Sequence, residues 1–282
     1  MLQTVFVMTS ETAPECCRTV HFWKGTPTGS EITVGSLKAY LAKSPSSTAC
    51  ILFIHDAFGW TLVNSRLFAD QLASLTGCDV VLPEYVCGRV NDAFLLFSFY
   101  NGEGLPTSLG DIMSERPTSF MNRIKANVKF VASIPSAIAL FSKHNAKSTC
   151  PKMDAVVQEL KKTYPKIGSL GFCWGGKYAA WLAAGDKVDC FAAAHPSSLE
   201  PSDLVIKNIP GLICVAKGDS MFPNSIRKIV VKNLKEKVEL VEYDGLVHGF
   251  AIRGRDDEEV VIKAREDVMQ RFGGFFKKYL AK

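Results

Sequence analysis

Short apolar runs alternate with stretches of helical periodicity from residue 51 onward. Residues 51–54 form a continuous apolar run that ends in polar His55 and Asp56, which is typical of a buried parallel strand. Apolar positions then recur with helical spacing over residues 62–75, and Gly77 stands where the left-handed cap of a helix belongs. This stretch therefore predicts a strand followed by a helix.

The same alternation continues to the end of the chain and predicts its fold class. Further strands are predicted at residues 80–82, 167–172, 190–194, 212–216 and 238–243, and further helices at residues 122–141, 153–164, 175–184, 225–234 and 256–279. Pro135 must kink or split the first of these helices. Because strands separated by helices imply right-handed crossovers, we expect an α/β fold with a mostly parallel central sheet flanked by helices.

Two segments do not fit the alternation. Residues 1–30 are irregular, and residues 84–123 contain several glycines, which predicts an insertion or lid. The aromatic run at residues 94–100 predicts a short helix inside that insertion. No break in composition marks off a second folding unit, so we expect residues 1–282 to form a single domain.

Composition and charge exclude several classes of protein. The chain has 282 residues, 47% of them hydrophobic and 22% charged, with a formal net charge of +5. Basic residues are interleaved with acidic ones, so we expect no nucleic-acid partner. No apolar run reaches the ~18 residues of a membrane span, and the N-terminus lacks the basic start of a signal peptide, so we expect no membrane association. The nine cysteines have no Cys-x-x-Cys or metal-finger spacing. We therefore expect reduced thiols, a cytoplasmic location and no metal or organic cofactor.

The most informative segment is Gly-Phe-Cys-Trp-Gly-Gly at residues 171–176, which follows a predicted strand and opens a predicted helix. This is the Gly-x-nucleophile-x-Gly elbow with Cys173 as the nucleophile, and the helix N-terminus behind the sulfur favours a thiolate. One alternative is a core thiol without a catalytic role. The other is a phosphate loop ending at Lys177, but Tyr178 stands where such a loop needs Ser or Thr.

An acid and a base for this nucleophile follow it in the expected chain order. Asp219 and His248 each come after a predicted strand, so both should lie at the sheet edge that carries the elbow. The alternatives are a turn or cap role for Asp219 and a structural loop role for His248. His55 and His195 also end predicted strands, which leaves open whether they line the same edge.

An oxyanion hole in this arrangement needs two backbone N–H groups. One should belong to Trp174, the residue after the nucleophile, and the other to Ala57, in the loop after the first predicted strand. Each donor stabilises charge that develops only in the tetrahedral intermediate, and the loss of one typically costs ~10²–10³ in rate.

Together these residues resemble the dienelactone hydrolase family of α/β-hydrolases over most of the chain. The motifs are Gly-Phe-Cys-Trp-Gly-Gly (171–176), His-Asp-Ala-Phe-Gly (55–59), Gly-Asp (218–219) and His-Gly-Phe (248–250), while Cys16-Cys17 and Gly-x-Pro-x-Gly (25–29) are similar to the fungal branch. The resemblance implies the single-domain α/β-hydrolase fold and a catalytic triad of Cys173, Asp219 and His248.

The resemblance also implies residues around the nucleophile. The family has a carboxylate after the first core strand that keeps the resting thiol protonated until substrate arrives; Asp56 occupies that position here, where the well-studied bacterial enzymes have Glu. From its residue type alone, Asp56 is equally a turn carboxylate that caps the following helix. The family binds the carboxylate of its substrate with arginines. The candidates are Arg253, which is displaced by one position, and one of Arg89, Arg116 and Arg123.

The resulting hypothesis is a hydrolase that cleaves an ester through an acyl-enzyme intermediate, by resemblance an enol lactone of the dienelactone type. Its partner is then a small-molecule ester or lactone, and the oligomeric state stays open. Two alternatives remain. One is a thioesterase or general carboxylesterase, and the other is a non-catalytic binding protein that keeps the fold.

Overall fold

The computed structural model describes residues 21–45, 47–56, 58–85 and 145–280. Several predictions lie outside the described residues. These are the irregular character of residues 1–20, most of the insertion or lid at residues 84–123, the short helix at 94–100, and the helix at 122–141 with its kink at Pro135.

Eight strands of the described chain form one sheet. They are β1 (Ser30–Val34), β2 (Leu37–Ala42), β3 (Ala49–Ile54), β4 (Asp79–Pro83), β5 (Lys166–Phe172), β6 (Cys190–Ala194), β7 (Gly211–Ala216) and β8 (Val238–Tyr243). Their order across the sheet is β1-β2-β4-β3-β5-β6-β7-β8. β1 and β2, and β2 and β4, pair antiparallel, whereas every other neighbouring pair is parallel. The expected mostly parallel sheet is confirmed.

Six α-helices accompany these strands in the described chain. They are α1 (Val63–Thr76), α2 (Ala146–Leu160), α3 (Trp174–Ala184), α4 (Asn224–Asn233), α5 (Phe250–Arg253) and α6 (Glu259–Leu280), with a 3₁₀ turn at Pro201–Leu204. Among the helices of the described ranges, none has both the length and the apolar character that a bilayer crossing requires.

Both faces of the sheet are apolar and buried, which gives the sheet a core on each side. In β3 all six residues are buried. Leu52 packs in the layer that contains Met153 of α2 and Tyr178 of α3. Phe53, on the opposite face, packs in the layer that contains Phe272 of α6. This two-sided burial explains why the strands have continuous apolar runs rather than alternating patterns.

The register of the sheet brings the carboxyl ends of the central strands to one edge. Ile54 pairs with Gly171, Phe172 with Ala194, and Ala216 with Tyr243. The residues that follow β3, β5, β6, β7 and β8 therefore share this edge, which is the position predicted for the elbow and its partners.

Three features differ from the elements that the sequence predicts. The hairpin of β1 and β2 was not among the predicted elements; β1 is the edge strand and is mostly exposed, β2 is mostly buried between β1 and β4, and Gly35 makes the turn at φ 60°. Helix α2 begins at Ala146 rather than 153, because the Asn145 side chain caps it by accepting a hydrogen bond from the Ser148 N–H, and the helix continues through Pro151. The single turn α5 was not predicted.

Candidate active site

Cys173 lies at a strained turn between β5 and α3. Its φ of 52° and ψ of −118° lie in a region that residues with side chains rarely adopt. Backbone hydrogen bonds hold this conformation: the Cys173 N–H donates to the Ala194 carbonyl at 3.1 Å, and the Cys173 carbonyl accepts from Gly176 at 3.0 Å and from Ser197 at 2.9 Å. The backbone of the elbow is therefore fixed by both neighbouring segments.

The glycines of the elbow are required by close backbone approach. A Cβ on Gly171 would overlap the Gly175 carbonyl, and a Cβ on Gly175 would overlap the carbonyl of Ile54. A Cβ on Gly176 would stand 2.6 Å from Pro196 Cβ. The predicted elbow geometry thus explains each glycine of the motif.

His248 links the sulfur to a buried carboxylate. Its Nε2 lies 3.2 Å from Cys173 Sγ, and its Nδ1 lies 2.8 Å from Asp219 Oδ2. The second oxygen of Asp219 accepts the Met221 N–H at 2.8 Å, so the carboxylate is held in the turn after β7. The side chains of His248 and Asp219 are 1% and 0% exposed. The structure therefore brings together the three residues that the sequence selected for a triad.

The position of His248 determines where its proton resides. Burial by itself lowers the pKa of His248, but the adjacent sulfur of Cys173 and the carboxylate of Asp219 outweigh burial and raise the pKa to about 10. With an ionised sulfur beside it, the imidazole therefore holds both protons at neutral pH, one shared with Asp219 and the other directed at the sulfur. A protonated histidine at this distance stabilises the thiolate form of cysteine.

Arg253 and Asp56 form a buried ion pair at the same edge. Arg253 Nε lies 3.0 Å from Asp56 Oδ2, with side chains that are 3% and 1% exposed. Burial raises the pKa of the Asp56 carboxyl, and the Arg253 guanidinium opposes that rise. The other oxygen of Asp56 accepts the Phe58 N–H at 2.9 Å, whereas the N-terminus of α1 has no side-chain cap. Asp56 is thus a turn carboxylate paired with Arg253, and it does not cap the helix.

The structure describes one of the two predicted oxyanion donors, Trp174. Trp174 directly follows Cys173 and begins α3, so its N–H belongs to the helix N-terminus behind the sulfur. Ala57 lies outside the described residues, as do the arginine candidates Arg89, Arg116 and Arg123.

His195 lies directly behind the histidine of the triad. It is fully buried at the end of β6, with φ 37° and its N–H donated to the Cys214 carbonyl at 2.7 Å. Its ring packs edge-on against the ring of His248, with centroids 5.0 Å apart, and against Phe172 and Phe250. Burial lowers the pKa of His195, which keeps the imidazole neutral.

Two further polar residues belong to this site: Ser197, which the sequence did not single out, and Lys177, which it considered only as the end of a phosphate loop. Ser197 Oγ lies 3.6 Å from Cys173 Sγ. Lys177 is buried beneath the elbow and donates to Asp203 Oδ2 at 2.9 Å. A signal for Ser197 was present, since His195-Pro-Ser-Ser follows a predicted strand whose end had to reach the same edge.

The described residues provide no evident metal site. No three His, Cys, Asp or Glu side chains cluster as potential metal ligands within residues 21–45, 47–56, 58–85 and 145–280. The chemistry that this arrangement supports is nucleophilic: a thiolate, a general acid–base and an orienting carboxylate.

Comparison with known proteins shows that the chain is similar to hydrolases. The family model described as the dienelactone hydrolase family matches residues 37–280. Hydrolase pyvD of Aspergillus violaceofuscus is 25% identical over 282 residues, covering 98% of this chain and 100% of that protein. Dienlactone hydrolase 1 of Gibberella moniliformis is 28% identical over 277 residues, covering 93% and 91%.

Similarity to solved structures supports the fold. A thermostable esterase from Pseudomonas putida superposes with a TM-score of 0.52 at 13% identity, covering 90% of this chain and 83% of the esterase. The chain has the α/β-hydrolase fold, and the fold class predicted from the sequence is confirmed.

Proposed function

The chain belongs to the dienelactone hydrolase family, and from that premise we propose that it is a cysteine-dependent hydrolase that cleaves an ester, an enol lactone in the first instance. The observation that carries this proposal is the contact of 3.2 Å between Cys173 Sγ and His248 Nε2, with Asp219 on the other ring nitrogen. A histidine oriented by a carboxylate is the partner that a nucleophilic cysteine needs in acyl transfer.

The reaction begins with attack of the Cys173 thiolate on the carbonyl carbon of the ester. The N–H groups of Trp174 and Ala57 stabilise the oxyanion of the tetrahedral intermediate. When the carbon–oxygen bond breaks, the leaving oxygen takes the proton from His248 Nε2, and an acyl thioester remains on the sulfur. His248 then accepts a proton from water, the hydroxide attacks the thioester, and the departing sulfur is again a thiolate beside a protonated imidazole.

The nucleophile favours some acyl substrates over others. A thiolate needs less activation than a serine hydroxyl, but expelling a poor leaving group from its tetrahedral adduct is difficult. Enol esters and thioesters have good leaving groups and are therefore the preferred classes. In a lactone the acid and the alcohol belong to one molecule, so hydrolysis opens a ring and gives a single product. We place a lactone first among these substrates because one relative is named as a dienlactone hydrolase.

Arg253 is the proposed contact for a carboxylate on the substrate. It is paired with Asp56 in a buried position, so an incoming carboxylate would compete with Asp56 for the guanidinium. The Asp56 carboxylate, released from Arg253, would then be able to form new hydrogen bonds when substrate binds. This gives Asp56 a gating role and Arg253 a substrate-binding role. His195, which packs against His248, supports the orientation of that ring.

Mass spectrometry after mixing with an activated ester tests the proposal. We expect a single acyl adduct on the peptide that contains Cys173, and its loss in Cys173→Ala, while the half-buried Cys150→Ala variant serves as a matched control with full labelling. A panel of an enol lactone, a simple carboxylic ester and a thioester then identifies the class. High activity on the thioester with none on the lactone would favour the thioesterase alternative. The absence of any adduct, with Cys173→Ala indistinguishable from wild type, would leave a non-catalytic binding protein.

A further inference from the structure

The sulfur of Cys173 has two polar side-chain neighbours, and the mechanism above uses only one of them. His248 Nε2 lies at 3.2 Å and Ser197 Oγ at 3.6 Å, within the range of hydrogen bonds to sulfur. Ser197 is 2% exposed, and in the described part of the chain its hydroxyl has no hydrogen-bond partner other than this sulfur. A buried hydroxyl directed at a nucleophile calls for a chemical explanation.

The position of Ser197 is fixed relative to the nucleophile. Its N–H donates to the Cys173 carbonyl at 2.9 Å, so the two residues are joined through their backbones. The segment that follows is tied to helix α3 by Lys177, whose Nζ donates to the Ser198 carbonyl at 3.0 Å and to Asp203 Oδ2 at 2.9 Å. Lys177 itself lies in the first turns of the helix that Cys173 opens. The hydroxyl is therefore held beside the sulfur by the same helix that positions the sulfur.

We propose that the Ser197 hydroxyl is a second hydrogen-bond donor to the Cys173 thiolate and a further catalytic residue of this enzyme, an inference that rests on the proposed function. Once the thiol proton has moved to His248, the anionic sulfur can accept hydrogen bonds from both the imidazolium and the hydroxyl. Acylation removes the negative charge from the sulfur and weakens the Ser197 hydrogen bond. The bond regains its strength when the carbon–sulfur bond breaks in deacylation, so the hydroxyl stabilises the departing thiolate.

The pH dependence of alkylation isolates this contribution, because it requires no substrate. Iodoacetamide labelling of Cys173, followed on its own peptide by mass spectrometry, reports the thiolate fraction. In Ser197→Ala we expect the midpoint to move upward by about one to two pH units, as for the loss of one hydrogen bond to a charged group. Ser202→Ala, an exposed serine in the same loop, should keep the wild-type midpoint.

A second pair of variants separates the hydroxyl from the shape of the side chain. Threonine and valine have nearly the same shape, but only threonine keeps a hydroxyl. Ser197→Thr should therefore titrate near the wild-type midpoint, and Ser197→Val should follow Ser197→Ala. Because the pair is compared internally, a loss of stability common to both variants does not affect the result.

Steady-state rates provide a readout that a structural role would not produce. In Ser197→Ala we expect kcat/KM to fall by about tenfold or more at neutral pH and to recover toward the wild-type value at alkaline pH, where the thiolate forms without the donor. A loss that is equal at every pH, or titration of Ser197→Ala that superposes on wild type, overturns the inference. The proposed function fails separately, if Cys173→Ala retains the wild-type rate of ester hydrolysis or if the wild-type protein forms no acyl adduct and hydrolyses no ester.

Discussion

Replacing Cys173 with alanine should lower the pKa of His248 by several units. His248 Nε2 and Cys173 Sγ are 3.2 Å apart. At the effective dielectric constant of ~20 that suits protein sites, two opposite unit charges at that separation attract by about 5 kcal/mol, or close to four pKa units. The pKa of about 10 in the intact pair, against an ordinary 6.5, is of that size. In the variant burial, which is the largest single effect and lowers the pKa, and Asp219, which raises it, still act. These oppose each other, so the pKa should return to near 6.5.

Nuclear magnetic resonance of the imidazole nitrogens measures this directly. The protein is labelled on its five histidines, and the signal of His248 is identified by its absence in His248→Gln. Cys78→Ala serves as the control, because it removes a buried thiol that does not contact the triad; its His248 signal should titrate as in wild type. An unchanged His248 titration in Cys173→Ala, or a wild-type midpoint already near 6.5, would refute the assignment of the proton to the imidazole.

Three further predictions concern pH, stability and substrate. The raised pKa of His248 means that its protonated form persists until the pH approaches 10 and is lost above it, so kcat/KM measured against pH should fall on the alkaline side at about pH 10. Lys177→Met leaves the buried Asp203 carboxylate unpaired and should lower the free energy of unfolding in urea by ~3–5 kcal/mol, whereas Lys177→Met with Asp203→Leu should recover most of that loss. Arg253→Lys keeps the charge but loses the planar fork, so it should raise KM for esters that carry a carboxylate and leave KM for neutral esters nearly unchanged.

The elbow could be predicted from the sequence because its determinants are local. Gly171 and Gly175 allow the close backbone contacts of the elbow, and each lies two residues from the nucleophile. The chain order of Asp219 and His248 was sufficient for the rest of the triad, since parallel strands bring their carboxyl ends to one edge regardless of loop length. The fold class followed from the same alternation of strands and helices.

The remaining parts of the site depend on contacts between distant residues, which no local pattern encodes. Asp56 and Arg253 are nearly two hundred positions apart, and residue type alone left Asp56 equally a helix cap. In the sequence nothing distinguishes Ser197 from the other serines, and it comes to lie beside Cys173 because β6 pairs with β5. The edge strand β1 was missed for a different reason: it is mostly exposed, so its hydrophobic pattern is weak.

The two buried ion pairs explain how loops at this edge hold side chains accurately enough for chemistry. Arg253 follows His248 closely in the chain and joins that turn to the end of β3 through Asp56. Lys177 joins the segment after Ser197 to helix α3. A buried ion pair contributes little net stability compared with apolar residues of the same volume, so stability alone does not account for two of them at one edge. Each pair instead fixes the loop that carries one of the two polar neighbours of the Cys173 sulfur. The distances from Cys173 Sγ to His248 Nε2 (3.2 Å) and to Ser197 Oγ (3.6 Å) therefore depend on ion pairs that do not themselves contact the sulfur.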